Sequence, residues 1–360
     1  MTESQGSSLL SGRNLIRIGS CIVLAICLGL LLTVESGLPA LIRSVTGLLG
    51  ILSLFMALSV APERMPWRTL AVGLAIQATL AWAVVGFRVG DRRPGMEAFQ
   101  AVGHGVESLL GFSSEGGKMV FGILADPEKF QNSVGKGNGF IFAFNALPTL
   151  VFISALSAAM YHLGLLQLVV GGIGAVIRRL MGTTGPETFG CCATVFIGQT
   201  EAPLVVKPFL STMTPSEMLA LMAGGMAAMS GAMMAVYIGM GADAVGVLAA
   251  SVMAAPCSLY LSKMLIPEQP AAKDGMESDW KVPKLHHGLL DALTGGASEG
   301  MMLALHVAAM LIAFLALIAM LKSALEACIP GANLDEGVAW LFRPLALLAG
   351  FSGEEAHLAG

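Results

Sequence analysis

The amino-acid sequence predicts an all-α polytopic membrane protein that contains a re-entrant helical hairpin and interfacial helices. Three observations predict it. Hydrophobic residues make up 55% of the chain and charged residues only 12%, against about 25% charged in soluble domains. Apolar segments recur close to the ~20 residues that a helix needs to cross a bilayer. One of these segments carries the polar group Gly198-Gln199-Thr200-Glu201-Ala202-Pro203 at its centre.

Composition excludes other classes. The net charge of −4 resides in loops and hairpin tips. There is no basic stripe or aromatic platform, so a nucleic-acid polymer is not an expected partner. Cys21, Cys27, Cys191, Cys192, Cys257 and Cys328 show no metal-ligand spacing with a histidine and no disulfide framework. Most lie in apolar runs and read as small buried hydrophobes. No metal or cofactor is expected.

Arg13 and Arg17 precede the apolar run Ile18–Val34. That run is longer than a signal-peptide core and more spans follow, so it reads as a retained first transmembrane helix. Val45–Ala61 and Thr69–Phe87 are the next spans. Arg13, Arg17, Arg64 and Arg68 on one side balance Arg43, Arg88, Arg92 and Arg93 on the other, so basic residues give no orientation. In Glu97–Gly116, Phe99, Val102, Val106, Leu109 and Leu110 recur near helical spacing, which predicts an interfacial amphipathic helix. Gln131–Gly139 is glycine-rich but lacks the P-loop pattern and reads as a turn. Phe140–Val170 reads as one long apolar helix containing Pro148, and Gly171–Gly190 as an amphipathic one.

The polar group follows. Gly198 and Pro203 interrupt helix between two apolar arms, each too short to span alone. The reading is two half-helices meeting at a polar tip. Broken backbone at membrane depth is tolerated where it faces protein or a watery cavity. A carboxylate there costs roughly 2.5–3.5 kcal/mol on insertion scales, so Glu201 marks a site.

Thr214-Pro215-Ser216-Glu217 then spells a capping box with proline at the first helical position. The helix it opens is expected to run to about Met240, with Ser230-Gly231 permitting local unwinding. Small-residue rows, Gly224/Ala228/Ala232 and Gly231/Ala235/Gly239, allow close helix approach. Met218, Met222, Met226, Met229 and Met233 form a row that reads as adaptable packing. Ala244–Leu265 is a further span, Pro267–Pro283 a hydrophilic linker, Leu289–Glu299 weakly amphipathic, Met301–Leu321 a strong span and Val338–Gly350 apolar again.

Two segments resemble each other. Residues Val176–Glu187 and Pro344–Glu355 both end in Gly-x-(Ser/Thr)-Gly-x-Glu, each after a long apolar helix. Inverted repeats of this kind place a substrate site near the midplane, between paired broken helices. Glu201 lies 14 residues after Glu187, and the same interval from Glu355 runs past Gly360. The second repeat is therefore expected to be truncated, without its own hairpin.

From about Glu97 onward the chain resembles the concentrative nucleoside transporters. The resemblance rests on Leu147-Pro148-Thr149-Leu150-Val151-Phe152-Ile153-Ser154-Ala155-Leu156, Tyr161-His162-Leu163-Gly164 and Phe196-Ile197-Gly198-Gln199-Thr200-Glu201-Ala202-Pro203-Leu204. Met253-Ala254-Ala255-Pro256 and Val307–Phe314 add to it. It implies a homotrimer of cation-coupled nucleoside symporters in the cell (inner or plasma) membrane, working by an elevator-type movement. It implies that Gly198, Gln199, Thr200 and Glu201 bind the nucleobase and that Met233 lines the base pocket. An amide both donates and accepts, which suits the edge of a base. The family's cation site maps to Thr194, Ile197, Ala228 and Met229. Sodium-coupled members carry asparagine and serine where this chain has Thr194 and Ala228, and hard cations want oxygen ligands. The coupling ion is therefore expected to be a proton or sodium, with Glu201 a candidate proton carrier. The second hairpin's motif and the ribose-binding residues after it are absent, so the expected site is half a site.

Five regions follow from this reading. Residues 1–96 hold the N-terminal transmembrane spans, and 97–170 an interfacial helix with scaffold helices. Residues 171–266 form the first half of the transport domain, with the hairpin at about 191–212. A hydrophilic linker covers 267–288, and 289–360 hold a scaffold helix and the start of the second repeat. Two other functions compete. A non-transporting scaffold fits the expected missing half. An intramembrane hydrolase would pair Glu201 with a histidine, but His104, His162, His286, His287, His306 and His357 form no catalytic pattern. The chain is therefore expected not to be an enzyme.

Overall fold

The computed structural model describes residues 3–33, 39–88, 90, 92–134, 141–196, 198–199, 202, 206–268, 287–328, 334–351 and 355. Among these the regular structure is helical. The α-helices are α1 (Glu3–Thr33), α2 (Ala40–Leu58), α3 (Trp67–Ala81), α4 (Pro94–Phe121), α5 (Pro127–Val134), α6 (Phe142–His162) and α7 (Leu165–Met181). They continue as α8 (Gly185–Thr194), α9 (Pro215–Ala227), α10 (Gly231–Gly239), α11 (Ala244–Leu265), α12 (Leu289–Cys328) and α13 (Leu334–Leu348). Among the described residues, seven segments are long and apolar enough to cross a membrane: Gly12–Leu32, Leu41–Leu58, Trp67–Gly86, Phe142–His162, Pro215–Gly239, Ala244–Leu265 and Leu289–Cys328.

The described chain forms two compact units. The first comprises Met1–Pro66, Met264–Pro267 and Met310–Gly360. In it α1 packs along α2, and α13 packs against both. Leu31, Ala346, Leu347 and Leu348 form its buried apolar centre. Arg17 donates to the Ser59 carbonyl at 2.7 Å, which satisfies a carbonyl just past the end of α2. The part of α12 in this unit exposes apolar side chains on every face, Ile312, Leu315 and Met320 among them. A helix apolar all round is built for lipid or for other helices.

The second unit comprises Trp67–Lys263 and Glu268–Ala309 and holds Gly198 and Gln199. Its core joins Ala146, Leu150 and Ile153 of α6 to Ala232, Ala235 and Val236 of α10 and Ala304 of α12, with Leu109 and Leu110 of α4 against it. Gly296 and Gly300 let α12 lie close on α6. A Cβ at Gly300 would sit 2.8 Å from the Leu150 carbonyl oxygen. Gln77 ties α3 to α11 by donating to the Met253 carbonyl at 3.1 Å and accepting from the Tyr260 hydroxyl at 2.8 Å.

Several sequence expectations change. The helix expected over Phe140–Val170 is two helices, because Gly164 takes φ +79° between α6 and α7. The Tyr161 carbonyl at this break accepts from Gly164 N–H at 3.1 Å and from the Gln167 amide at 2.7 Å. The amphipathic Gly171–Gly190 is likewise divided, with α7 closed by Gly182 and a new helix opened at Gly185. Gln131–Val134, expected as a turn, forms the end of α5, which Asp126 starts by accepting from the Lys129 N–H at 3.2 Å. That hydrogen bond, with the Lys118 and Lys129 ammoniums nearby, holds the Asp126 carboxyl below its ordinary range against the opposing effect of desolvation. Leu289–Glu299 and Met301–Leu321 are one helix, since Gly300 serves close packing and not termination. Pro148, Pro256 and Pro344 sit inside α6, α11 and α13 without ending them.

Candidate substrate and cation site

The site is built on α8. Its first turn is fixed by Glu187, which accepts from the Thr184 N–H at 2.8 Å and so reaches back over a free helix end. All ten residues of α8 are buried. The helix lies on α9. The Cys191 thiol donates to the Ala220 carbonyl at 3.1 Å, and a Cβ at Gly224 would meet the Cys191 sulfur at 2.8 Å. The small residue at 224 thus does what its row predicts, letting two backbones approach.

Thr194 closes α8. Its hydroxyl lies 2.7 Å from the Cys191 carbonyl and 3.3 Å from that of Gly224, so it bridges α8 and α9. Gly198 follows at φ +110°, a conformation that L side chains rarely adopt. Its N–H donates to the Thr194 carbonyl at 3.2 Å, and its carbonyl accepts from Ala202 N–H at 3.1 Å. Gln199 is exposed beside Gly225. Ile197, Thr200 and Glu201 lie outside the described residues.

The helix opened by Thr214 does not run through to Met240. It stops at Ala227 and restarts at Gly231. Ala228 is extended, with φ −97° and ψ 144°. Ser230 caps the new helix, its hydroxyl oxygen accepting from Met233 N–H at 3.3 Å. Gly231 N–H points to the Phe196 carbonyl at 3.4 Å, joining this break to the end of α8. The methionine row is therefore interrupted, with Met226 83% exposed on α9 and Met233 packed against the core from α10.

Both interruptions face one cavity of about 200 Å³. Gly198, Gln199 and Phe196 line it from the hairpin, Ala228, Met229 and Ser230 from the break, and Met233 and Tyr237 from α10. Ser154 and Ser157 of α6 and Leu303 of α12 complete the wall. The structure thus brings together Gly198, Gln199 and Met233, and places Ala228 and Met229 beside them. Ser154, Ser157, Ser230 and Tyr237 were not singled out as site residues from sequence. Ser154 stood inside a quoted motif, but nothing in the pattern marked which helix face it used.

Sequence reasoning also missed a buried ion cluster at the opposite end of α8. Lys263 in the last turn of α11 is 4% exposed and Glu187 is 0% exposed. Their charged atoms lie 2.7 Å apart. Lys263 also contacts Glu268, which accepts from the Thr214 hydroxyl at 2.7 Å. Thr214 in turn caps α9 with Glu217, which accepts from the Thr214 N–H at 2.9 Å. Burial pushes the Glu268 carboxyl up, but the Lys263 ammonium and the Thr214 and Ser216 hydroxyls together hold it below its ordinary range. Lys263 lies 76 residues from Glu187, which hides the pairing from local pattern.

A polytopic helical protein with helices interrupted around a shared cavity has the architecture of a secondary transporter. Comparison with known proteins narrows this. Residues 46–124 match the family model described as Na+ dependent nucleoside transporter N-terminus, and residues 246–360 match its C-terminus. Residues 143–244 match a gate model described as nucleoside recognition. An uncharacterized transporter of Haemophilus influenzae is 37% identical over 329 residues, covering 89% of this chain and 75% of that protein. Rat sodium/nucleoside cotransporter 2 is 34% identical over 326 residues, covering 89% of this chain but 47% of that protein. Human sodium/nucleoside cotransporter 1 is 34% identical over 346 residues, covering 93% of this chain and 50% of that protein. The chain thus spans about half the length of these mammalian relatives. Among solved structures, CNTnw in an inward-facing substrate-bound state superposes with TM-score 0.81 at 32% identity, covering 89% of this chain and 75% of that one. A CNTnw variant in an outward-facing state gives 0.80 at 32% identity, covering 88% and 74%. The chain belongs to the Na+-dependent, concentrative nucleoside transporter family. It is a multi-pass membrane protein of a family of secondary active transporters, not of enzymes.

Proposed function

We propose that this protein is a nucleoside symporter that imports nucleosides with a coupling cation by alternating access. The observation that carries the reading is the pair of interruptions, Gly198–Gln199 and Ala228–Ser230, that open onto one cavity. Gly198, Gln199, Thr200 and Glu201 take the nucleobase, and Met233 packs on its face. The amide of Gln199 can donate and accept at once, as a base edge requires. The serines of α6 and Tyr237 of α10 add hydroxyls to an otherwise apolar wall, the usual make-up of a small-molecule site. Movement is of the elevator type, and the protein acts as a homotrimer in the plasma or inner membrane.

The coupling cation sits around Thr194, Ile197, Ala228 and Met229. The family model's description supports sodium. Ala228 supports a proton, because its side chain offers no oxygen to a hard cation. Labelled uridine and adenosine uptake in transport-deficient cells tests both parts. Uptake is expected above vector background and lost in Gln199→Ala and Glu201→Gln. Dependence on sodium at fixed pH identifies sodium, and dependence on an inward pH gradient without sodium identifies a proton. Uptake equal to background would refute the transport reading.

A further inference from the structure

We propose that Lys263 is a positioning residue for nucleoside capture: it clamps the base of α8 to α9 and α11 and so fixes where the hairpin tip sits. The inference rests on the transport reading above. The geometry points to it in three ways. Lys263 reaches Glu187 at 2.7 Å, in the first turn of α8. It also reaches Glu268, which accepts from the Thr214 hydroxyl at the start of α9. It stands itself in the last turn of α11. Three helix ends, which the chain separates widely, thus converge on one ammonium.

The cluster is dry. Lys263 is 4% exposed and Glu187 0% exposed. A long, flexible lysine is seldom buried unless paired, and here the pairing holds it in one place. Glu187 does two jobs with its two oxygens. One accepts from Thr184 N–H and caps α8; the other faces Lys263. The carboxylate therefore transmits the position of Lys263 straight to the helix it caps.

The lever is short and stiff. Gly198 lies 11 residues beyond Glu187, or roughly 15 Å along a helix. A tilt of about 4° at the base then moves the tip by about 1 Å, using the same rise per residue. Displacements of about 1 Å at a reacting or binding group can cost on the order of a hundred-fold. Cys191 against Gly224 restrains α8 at mid-length. Among the described residues, only the lysine cluster restrains its base by charge.

The test separates positioning from mere neutralisation of buried charge. In K263M/E187Q/E268Q no charge of the cluster is left unpaired, and the glutamine oxygen at 187 still caps Thr184. If Lys263 only neutralises, this triple variant behaves as wild type. If it positions, the protein still purifies as wild type does. Its uridine KM then rises about ten-fold with Vmax little changed, and amide exchange across residues 188–196 speeds up about ten-fold. Unchanged exchange overturns the proposal, whatever uptake does. Faster exchange with an unchanged KM overturns it too, since the clamp would then serve stability alone. Should the triple variant aggregate, E268Q carries the test, because it leaves Lys263–Glu187 intact and removes the ion pair through which Lys263 reaches the start of α9. A KM increase of about three-fold is expected there, and a wild-type KM overturns the proposal. If the wild-type protein takes up no uridine, the transport reading fails, and the exchange measurement still decides the clamp.

Discussion

Replacing Gly296 and Gly300 by alanine tests the packing that sets the cavity's far wall. A Cβ at Gly300 would lie 2.8 Å from the Leu150 carbonyl oxygen, the Ser154 Cβ and the Val151 Cα. One at Gly296 would lie 2.6 Å from the Ala158 Cβ and 2.7 Å from the Ser154 carbonyl oxygen. Carbon atoms prefer about 3.5–4.0 Å. The obstacles are mostly backbone, so α6 and α12 must part by roughly 1 Å, given that spacing. Overpacking of this kind costs about 1–3 kcal/mol per site, while glycine-to-alanine in a helix returns at most about 1 kcal/mol. The double variant should therefore lose about 2 kcal/mol of stability. Gly105 in α4 is the control, with nothing within 4 Å of its would-be Cβ. Gly105→Ala should gain about 0.5–1 kcal/mol. Denaturant unfolding of the protein in mild detergent, followed by tryptophan fluorescence, measures both. The same chemical change is expected to have opposite signs at the two places. If G296A/G300A is as stable as wild type, or if Gly105→Ala is equally damaging, the close approach of α6 and α12 is not what the glycines serve.

Three further outcomes are expected. Thr214→Ala removes the oxygen that accepts from Glu217 N–H at 3.2 Å and the hydroxyl that donates to Glu268; it should cost about 1 kcal/mol and lower the melting temperature. Glu268 is held below its ordinary range, so its stabilisation is present above its unfolded value of about 4.3 and is lost as pH falls through the lower folded value. The melting temperature should accordingly drop as pH is taken below about 4, and Glu268→Gln should remove that part of the drop. Ser157→Ala should raise the uridine KM by about three- to ten-fold, the loss of one hydrogen bond, with surface expression unchanged; an unchanged KM would place the serine off the ligand.

Sequence reading located Ala244–Leu265 to the residue and both Thr214 and Glu217 as a cap, because hydropathy and capping are local properties. It misplaced boundaries wherever a long-range contact decided them. Gly164 carries no stronger signal than Gly300, yet the first ends a helix and the second packs inside one. What differs is the neighbour: Gln167 donates to the Tyr161 carbonyl at the Gly164 break, whereas the α6 backbone lies against Gly300. At the cavity, Gly198 and Gln199 stood out in sequence because a polar tip inside an apolar run is rare, and Met233 only through the family resemblance. Ser154, Ser157 and Lys263 were not, since a serine on an apolar helix or a lysine at a helix end is ordinary until its partners are known.

The break between α9 and α10 shows how the two interruptions need each other. Nothing in Met226-Ala227-Ala228-Met229-Ser230-Gly231 forbids helix; alanine and methionine favour it. A break in apolar surroundings leaves N–H groups at the new helix start without partners, which is costly where water is scarce. Here the missing partners come from two places. Ser230 supplies its own hydroxyl to Met233 N–H, and the hairpin's Phe196 carbonyl receives Gly231 N–H. The Phe196 carbonyl in turn lies just past the end of α8 and just before Gly198. Each break thus answers a backbone group left over by the other, and the cavity lies where they meet. Ser230→Ala removes one of these partners without changing the other. It should allow the Pro215–Gly239 segment to close into continuous helix, burying Ala228 and Met229 carbonyls in helical bonds and lifting them out of the cavity. Backbone amide exchange at residues 231–234 would then slow, and nucleoside-dependent thermal stabilisation would fall. Exchange that speeds up instead would mean that the break is imposed by the hairpin alone.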